Sequence, residues 1–452
     1  MSSEYTNNSF EQGSRISHSY IINDEEVKQY LNNCEIPVEA EDVELNDALK
    51  CDIVYPEKNT IEFIVAVDGE STTIPVKKSF PSSLITFFQF GSLLIKGSDL
   101  DEMEKKPFVS PSDINKLKKI EREKFVLPTK NVALKKDIDF RTTVREAIQE
   151  FYKKKHSGKT SILETLYWLI FEQYNPTSAK SNYKLSQCPH CGTNNILLEK
   201  DKMDFKNYSW KCTKINCEKE ILITDVLRLF EKVDKVENAD ASGIITYLEK
   251  ATESFFMIHT IKSLIEIQDG LVDRFLFVKD GPLSFGGETA NMHKPMQALI
   301  TYLNQNNRIN LVGVETSGAF VDHARQIKDK LDPGQVFLLN NEHIYTYIQV
   351  GNHKEQQYGS TSYYSGKFIY KSFDKRVYVL TIPVENHNTY YNQPEIDDLK
   401  NIQEILMNID KLRCDIYENA LIPVAVANKL ISLTNHPSSN ILERFAKKSM
   451  GR

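Results

Sequence analysis

No stretch of this 452-residue chain is apolar for long enough to cross a lipid bilayer. A membrane-spanning helix needs about 20 mostly apolar residues, and the polar first 20 residues also lack the apolar segment of a secretory signal peptide. Cysteine is sparse as well: there are seven, an odd number, and four of them fall in two close pairs. This distribution favours metal binding in a reducing compartment over a disulfide framework. We therefore predict a cytoplasmic protein that makes no use of a membrane.

A strong excess of basic residues is also lacking, because the formal net charge is −6 at pH 7. The charges are nevertheless unevenly distributed along the chain. Residues 1–50 hold eleven acidic residues against three basic ones, whereas residues 116–136 hold eight Lys or Arg against two Glu. The basic segment favours either a surface that follows a phosphate backbone or the solvated face of a helix, and both interpretations remain open.

The pattern of apolar residues predicts a mixed α/β fold. Apolar, β-branched runs predict strands at 61–67, 73–77, 84–95, 275–278, 309–314 and 377–383, the first three forming a meander. Helical periodicity predicts helices within 139–173, 225–233, 244–265, 320–331, 395–407 and 419–433. We divide the chain into an acidic, partly disordered extension (1–50), two parts of one domain (51–180, with the basic helical segment, and 225–452) and an insertion (181–224).

Two of the predicted buried strands end in Asp-Gly. The run IEFIVAV leads to Asp68 and Gly69, and FLFV leads through Lys279 to Asp280 and Gly281. Carboxylates brought together at one edge of a sheet can hold the Mg²⁺ or Mn²⁺ ions of two-metal phosphodiester chemistry. Asp-Gly after a strand is also a common turn, and for either site alone a plain turn is the stronger interpretation.

Four cysteines have the spacing of a zinc ribbon. Cys188 and Cys191 form a CxxC pair, and after twenty further residues Cys212 and Cys217 follow, with four residues between them. Four thiolates close a tetrahedral structural zinc site and leave no open position for catalysis. His190, inside the CxxC, is an alternative ligand that we expect to face solvent instead.

The ordered motifs of this chain resemble those of NurA nucleases. VAVDGE (65–70) and FVKDGPL (277–283) are similar to the two hallmark motifs of that family. LVGVETSGAFVDHA (311–324), YGSTSYYSGKFIYK (358–371) and ALIPVAVANKL (420–430) are similar to later segments of its longer bacterial members. The resemblance covers roughly residues 60–100 and 270–445, and residues 181–224 would be a zinc-ribbon insertion. It implies an RNase H-like fold, Mn²⁺-dependent DNA cleavage, a homodimer and a HerA-type hexameric ATPase as partner.

Carried onto this sequence, the resemblance implies that Asp68 and Asp280 bind the catalytic metal. It implies a third acid on the helix before the second motif, for which Glu253 is our choice and Glu249 the alternative. Glu315 stands where the family usually has Lys, so it is either an added catalytic ligand or a substitution on the same rim. Asn428 stands where the family often has His, and Asn cannot act as a general base. These two departures leave open an altered metal site.

A Tyr- and Ser-rich stretch holds candidate DNA contacts. Lys367 and Lys371 are predicted to contact phosphates, and Tyr363 and Tyr364 to stack on bases or simply to belong to a strand. Trp210 in the ribbon similarly favours either nucleic-acid contact or ribbon core.

Three functions agree with these patterns. The first is a Mn²⁺- or Mg²⁺-dependent DNA nuclease acting in end resection, repair or antiviral defence. The second is a catalytically weakened DNA-binding or assembly subunit, and the third an RNase H-like enzyme that cuts RNA or hybrids. The segment Gly158-Lys159-Thr160 resembles the end of a phosphate-binding loop, but the required upstream glycine is replaced by Lys153, so ATP binding is not expected.

Overall fold

The computed structural model describes residues 21–34, 36, 42–99, 119–135, 138–155, 160–233, 239–268, 270–306, 308–352, 354–414, 421–433 and 438–450. Within these ranges no helix is both long and apolar enough to pass through a bilayer. The Gly158-Lys159 dipeptide and the basic residues Lys116, Lys118 and Lys136 lie outside them.

The described residues alternate between strands and helices, as a mixed α/β fold requires. The strands are β1 Lys50–Asp52, β2 Phe63–Lys77, β3 Ser83–Lys96, β4 Lys119–Lys130, β5 Asn182–Gln187, β6 Asn194–Glu199, β7 Ser209–Lys211, β8 Glu220–Leu222, β9 Phe275–Asp280, β10 Asn310–Glu315, β11 Gln335–Leu338, β12 Ser365–Lys371 and β13 Val377–Pro383. The helices are α1 Glu25–Asn32, α2 Phe140–Lys153, α3 Ile162–Ile170, α4 Ile245–Ile267, α5 His293–Asn306, α6 Ala319–Ile327, α7 His387–Asn392, α8 Ile402–Lys411, α9 Ile422–Ile431 and α10 Ser438–Ser449.

Nine strands form one large mixed sheet in the order β1-β11-β12-β13-β10-β9-β2-β3-β4. Strands β2, β3 and β4 form an antiparallel meander, and β9 and β10 lie parallel to β2 on its other side. An antiparallel meander followed by two parallel strands is the core arrangement of an RNase H-like sheet, so the predicted fold class is confirmed. Strands β13, β12, β11 and β1 extend this core with antiparallel pairs.

Each face of the sheet is covered by its own layer of helices. Because side chains alternate along a strand, each central strand contributes residues to both cores. Val67 of β2 and Phe277 of β9 face a core shared with α2, α3, α4 and α5. Val278 of β9 and Val312 of β10 face a second core, shared with α6, α8 and α9. Burial on both faces explains why these central strands are apolar almost throughout.

Three predicted elements differ from the structure. Residues 61–67 and 73–77 were expected to be separate strands, but β2 runs unbroken through Asp68-Gly69 to Lys77, paired with β3. The basic segment expected to be helical is instead the edge strand β4, in which Arg122 and Lys124 are exposed and Phe125 and Leu127 are buried. Charged residues suit an edge strand because they discourage pairing with another chain. Residues 223–232 form 3₁₀ turns rather than an α-helix.

Candidate functional site

Asp68 and Asp280 lie side by side on neighbouring parallel strands. The β2–β9 pairing ends with Val67 opposite Lys279, so the next residue on each strand is one of the two aspartates. Gly281 follows with a positive φ of 80° and turns the chain away from the sheet. Two residues that are 212 positions apart are thus placed together by parallel strand pairing.

Asp68 is buried without full hydrogen bonding. Its side chain is 3% exposed, and the backbone N–H of Gly69 donates to Oδ1 at 2.8 Å. The second oxygen, Oδ2, is buried and has no hydrogen-bond partner within the described residues. An unsatisfied buried carboxylate oxygen is costly unless a cation or a proton occupies the space beside it.

Helix α4 brings a third carboxylate to the same place. Glu253 is 0% exposed, and its Oε1 would lie only 3.1 Å from a Cβ atom added to Gly69. The absence of a side chain at Gly69 therefore allows Glu253 to approach the backbone of β2 directly. Glu249, one turn earlier, hydrogen-bonds Ser71 instead, and its pKa is raised by burial.

The three carboxylates influence one another electrostatically. Burial raises the pKa of Asp68 to about 8, and the neighbouring charges of Glu253 and Asp280 contribute to this rise, whereas Lys250 opposes it. Like charges that gather in a buried site favour protonation unless a cation balances them. A buried acid with such a perturbed pKa and charged neighbours is typical of functional sites.

Two lysines partly balance this charge. Lys250, on the same face of α4, donates to Glu253 Oε1 at 3.0 Å and to Oε2 at 3.3 Å. Lys279 on β9 is 2% exposed, lies 3.6 Å from Glu253 Oε2 and donates to the carbonyl oxygen of Asp280 at 3.0 Å. Burial lowers the pKa of Lys279, and the pKa of Lys250 is raised because the acids outweigh its desolvation.

The donor set fits a hard divalent cation, since it consists of carboxylate oxygens and includes the unpartnered Asp68 Oδ2. Ligand atoms that all lie within 4.8 Å of one another occur, in the part of the chain described, only at the four cysteines. The oxygens of the three carboxylates therefore lie farther apart here, with lysine ammonium groups among them, than they would around a bound metal ion.

The four predicted cysteine ligands converge in the insertion. Cys188 and Cys217 sulfurs are 4.0 Å apart, those of Cys191 and Cys212 are 3.9 Å apart, and all four lie within 4.8 Å of one another. Tetrahedral zinc with Zn–S bonds of about 2.3 Å needs sulfurs about 3.8 Å apart. The φ of 71° at Gly192 forms the tight turn after the first pair. The cluster is compatible with a zinc ribbon built on the hairpins β5–β6 and β7–β8.

A buried arginine joins this ribbon to the helical layer. Arg145 of α2 donates to Asp225 with its Nε at 2.7 Å and with Nη2 at 2.6 Å, and both residues are at most 5% exposed. The same guanidinium donates to the carbonyl oxygen of Glu220 at 3.1 Å and lies 3.0 Å from the ring of His190. His190 is therefore half-buried at this junction, which differs from the solvent exposure predicted for it.

The chain is similar to solved NurA structures over almost its full length. One is the NurA nuclease from Sulfolobus solfataricus, with 9% sequence identity, coverage of 99% of this chain and 98% of that chain, and a TM-score of 0.31. The other is described as NurA, with 9% identity, 98% coverage of each chain and a TM-score of 0.29. No protein-family model matches the chain, and no curated protein is significantly similar to it. Similarities this low do not establish a shared activity, so the site's own side chains must indicate one.

Glu315 lies at the end of β10 but is not part of the carboxylate group. Its Oε1 is 2.7 Å from the Nζ of Lys367, which is 1% exposed. The ammonium also donates to Tyr358 at 3.1 Å and lies 3.5 Å above the ring of Phe320. Lys367 therefore neutralises Glu315 inside the protein and does not face solvent.

The two lysines predicted to contact DNA are both buried, which differs from the surface position that such contacts need. Lys371 is 9% exposed and donates to the carbonyl oxygens of Lys328 and Leu331 at 2.8 and 2.6 Å. All seven residues of β12 are buried, because the strand is covered on both faces. Tyr364 is likewise fully buried, whereas Tyr363 is partly exposed.

Trp210 and Asn428 differ in burial. Trp210 is 5% exposed and donates to the carbonyl oxygen of Glu199 at 2.7 Å, so it belongs to the ribbon core. Asn428 is exposed on α9.

Sequence reasoning missed Lys250 and Lys279 at the carboxylates. A sequence signal was present for both: Lys250 precedes Glu253 by three residues, which places them on one face of a helix, and Lys279 adjoins Asp280. It missed Arg145 entirely, because nothing local relates a helical arginine to Asp225, 80 residues later.

Proposed function

We propose that this protein is a divalent-metal-dependent DNA nuclease of the NurA type. The observation that supports it best is the buried carboxylate of Asp68, one oxygen of which has no partner among the described residues. The charges of Glu253 and Asp280 act on this carboxylate. Asp68 and Asp280 come together where the parallel pairing of β2 with β9 ends. The strands hold the acidic side chains in place, as a binding site for a metal requires.

Asp68, Asp280 and Glu253 would hold Mn²⁺ or Mg²⁺ in this site. When bound, the ions supply an activated water and stabilise the leaving oxygen of the phosphodiester. Lys279 orients the pair of acids, because its ammonium contacts Glu253 and the backbone of Asp280 while it remains buried. Gly281 leaves room for the sugar-phosphate backbone, since a Cβ atom added there would meet nothing within 4 Å.

The zinc ribbon would then be a structural and docking element of this nuclease. Four thiolates leave zinc no open coordination position, so we assign it no part in cleavage. A HerA-type hexameric ATPase and a homodimer complete the proposal, together with a role in DNA end resection or antiviral defence.

The decisive experiment compares cleavage of end-labelled linear DNA, single- and double-stranded, by the full-length protein in Mn²⁺, Mg²⁺ or EDTA. The test variant is Asp68→Asn, Asp280→Asn, and the control is Asp322→Asn, whose side chain on α6 is 65% exposed. We expect the double variant to lose more than about a hundredfold in rate, since even partners of metal ligands contribute about 10- to 100-fold.

The double variant should remain folded, because an asparagine amide has the shape of the Asp68 carboxylate and removes a charge that burial disfavours. Thermal unfolding checks this point. Absence of DNA cleavage by the wild type in every metal, alone and with a candidate motor, would contradict the proposal. DNA binding without cleavage would favour the assembly subunit, and faster cleavage of RNA would favour the third function.

A further inference from the structure

The ammonium group of Lys250 takes a position among the carboxylates that suits a metal ion. It contacts both oxygens of Glu253, at 3.0 and 3.3 Å, as a chelated cation would. The charges of Asp280 and Asp68 also act on it and help to raise its pKa. A divalent ion and the ammonium group therefore compete for the same oxygens.

The two lysines of the site differ in their freedom to leave. The Lys279 side chain is 2% exposed and its ammonium donates to a backbone carbonyl, so the fold keeps it in place. The Lys250 side chain is 39% exposed, while Glu253 beneath it is 0% exposed. Lys250 thus lies at the mouth of the site and can turn towards solvent, where its ammonium is well hydrated.

The formal charges agree with an exchange of cations. With every group in its ionised form, as metal binding requires of the acids, three carboxylates (Asp68, Glu253, Asp280) and two ammonium groups (Lys250, Lys279) sum to −1. Once Lys250 has turned away, the same site carries −2, which one divalent ion neutralises. With both lysines still in place, a divalent ion would instead give the site a net positive charge, and the ion would be repelled by two ammonium groups rather than by one.

We propose that Lys250 is a resident cation of the site, which a divalent metal must displace in order to bind. This inference rests on the proposed function, because it concerns the same carboxylates. Lys250 would set the metal concentration at which the site fills and keep the buried acids neutralised until then. It is a positioning residue in this role, since it acts through the acids and not on the substrate.

The test measures Mn²⁺ binding to the full-length, zinc-containing protein by electron paramagnetic resonance of the free ion. Lys250→Met removes the charge and keeps most of the aliphatic chain. Lys262→Met is the matched control, because Lys262 lies on the same helix and pairs with Glu266 at 2.7 Å. Lys250→Arg keeps the charge at the original place.

We expect Lys250→Met to bind Mn²⁺ about tenfold more tightly or better, since tenfold corresponds to about 1.4 kcal/mol and one neighbouring charge contributes at least that much in a partly buried site. Lys262→Met and Lys250→Arg should bind no more tightly than the wild type. Lys250→Gln, a smaller polar replacement, serves if the Met variant does not fold.

Two failures are distinguishable. If the wild type binds Mn²⁺, the Asp68→Asn, Asp280→Asn variant does not, and Lys250→Met shows no gain, the competition is refuted while the metal site stands. An equal gain for Lys250→Arg would refute it too, because the effect would not depend on charge. If neither the wild type nor Lys250→Met binds Mn²⁺ through the aspartates, both the competition and the proposed function are overturned.

Discussion

Gly69→Ala tests whether close approach of α4 to β2 builds the carboxylate site. The added Cβ would lie 2.8 and 2.9 Å from two ring carbons of Phe90 and 3.1 Å from Glu253 Oε1. Carbon atoms pack best at about 3.5–4.0 Å, so the ring would have to move by roughly 0.7 Å. Phe90 is 1% exposed and packs against Phe151 and Phe256, which leaves it little room.

The expected cost is about 1–3 kcal/mol of unfolding free energy, the usual range for overpacking a dense core. Displacement of Glu253 should weaken Mn²⁺ binding in addition. Urea denaturation measures the first effect and metal titration the second. Gly243→Ala is the control, because a Cβ added there meets nothing within 4 Å. If both alanine variants are equally stable and bind metal alike, Gly69 does not position Glu253.

Two further predictions concern the ribbon and a buried histidine pair. Cys212→Ser should lower the zinc content from one ion per chain to none, measured by metal analysis, whereas the exposed Cys34→Ser should leave it unchanged. Burial lowers the pKa of His323 to about 4 and that of His343 to about 3, from an ordinary value of 6.5. Between these pH values the two histidines are protonated in the unfolded chain but neutral in the folded chain. The free energy of unfolding should therefore fall as the pH decreases from about 6.5 to about 4. A His323→Gln, His343→Gln variant should show a flatter dependence over the same range.

Residues in buried parallel strands were predictable because their burial leaves a continuous apolar run. Both aspartates stand at the ends of such runs in the sequence, which makes them candidates for a site. Glu253 was chosen with Glu249 as the alternative, and only tertiary structure separates them: Gly69 admits the first, and Ser71 binds the second. Helical spacing alone could not decide, because the two residues lie about one turn apart on the same face of the helix.

Charged strands were harder to predict. Residues 119–130 form β4 although they alternate Lys, Arg and Glu, because an edge strand tolerates exposed charges on one face. The opposite difference occurs at β12, whose lysines the sequence predicts to lie at the surface. The layers that cover both faces of β12 bury them, and such long-range packing leaves no trace in local composition.

The ion pair at Glu315 also bears on whether this residue adds a ligand to the metal site. Its carboxylate could turn to a metal only by leaving the ammonium of Lys367, which is 1% exposed and enclosed by the rings of Phe320 and Tyr358. An unpaired charge left in such surroundings costs about 3–5 kcal/mol. For a metal that already has three carboxylate ligands, the bond to a fourth would have to stabilise the complex by at least that amount. Glu315 is therefore better explained as the partner of a buried lysine, and the proposed metal site is complete without it.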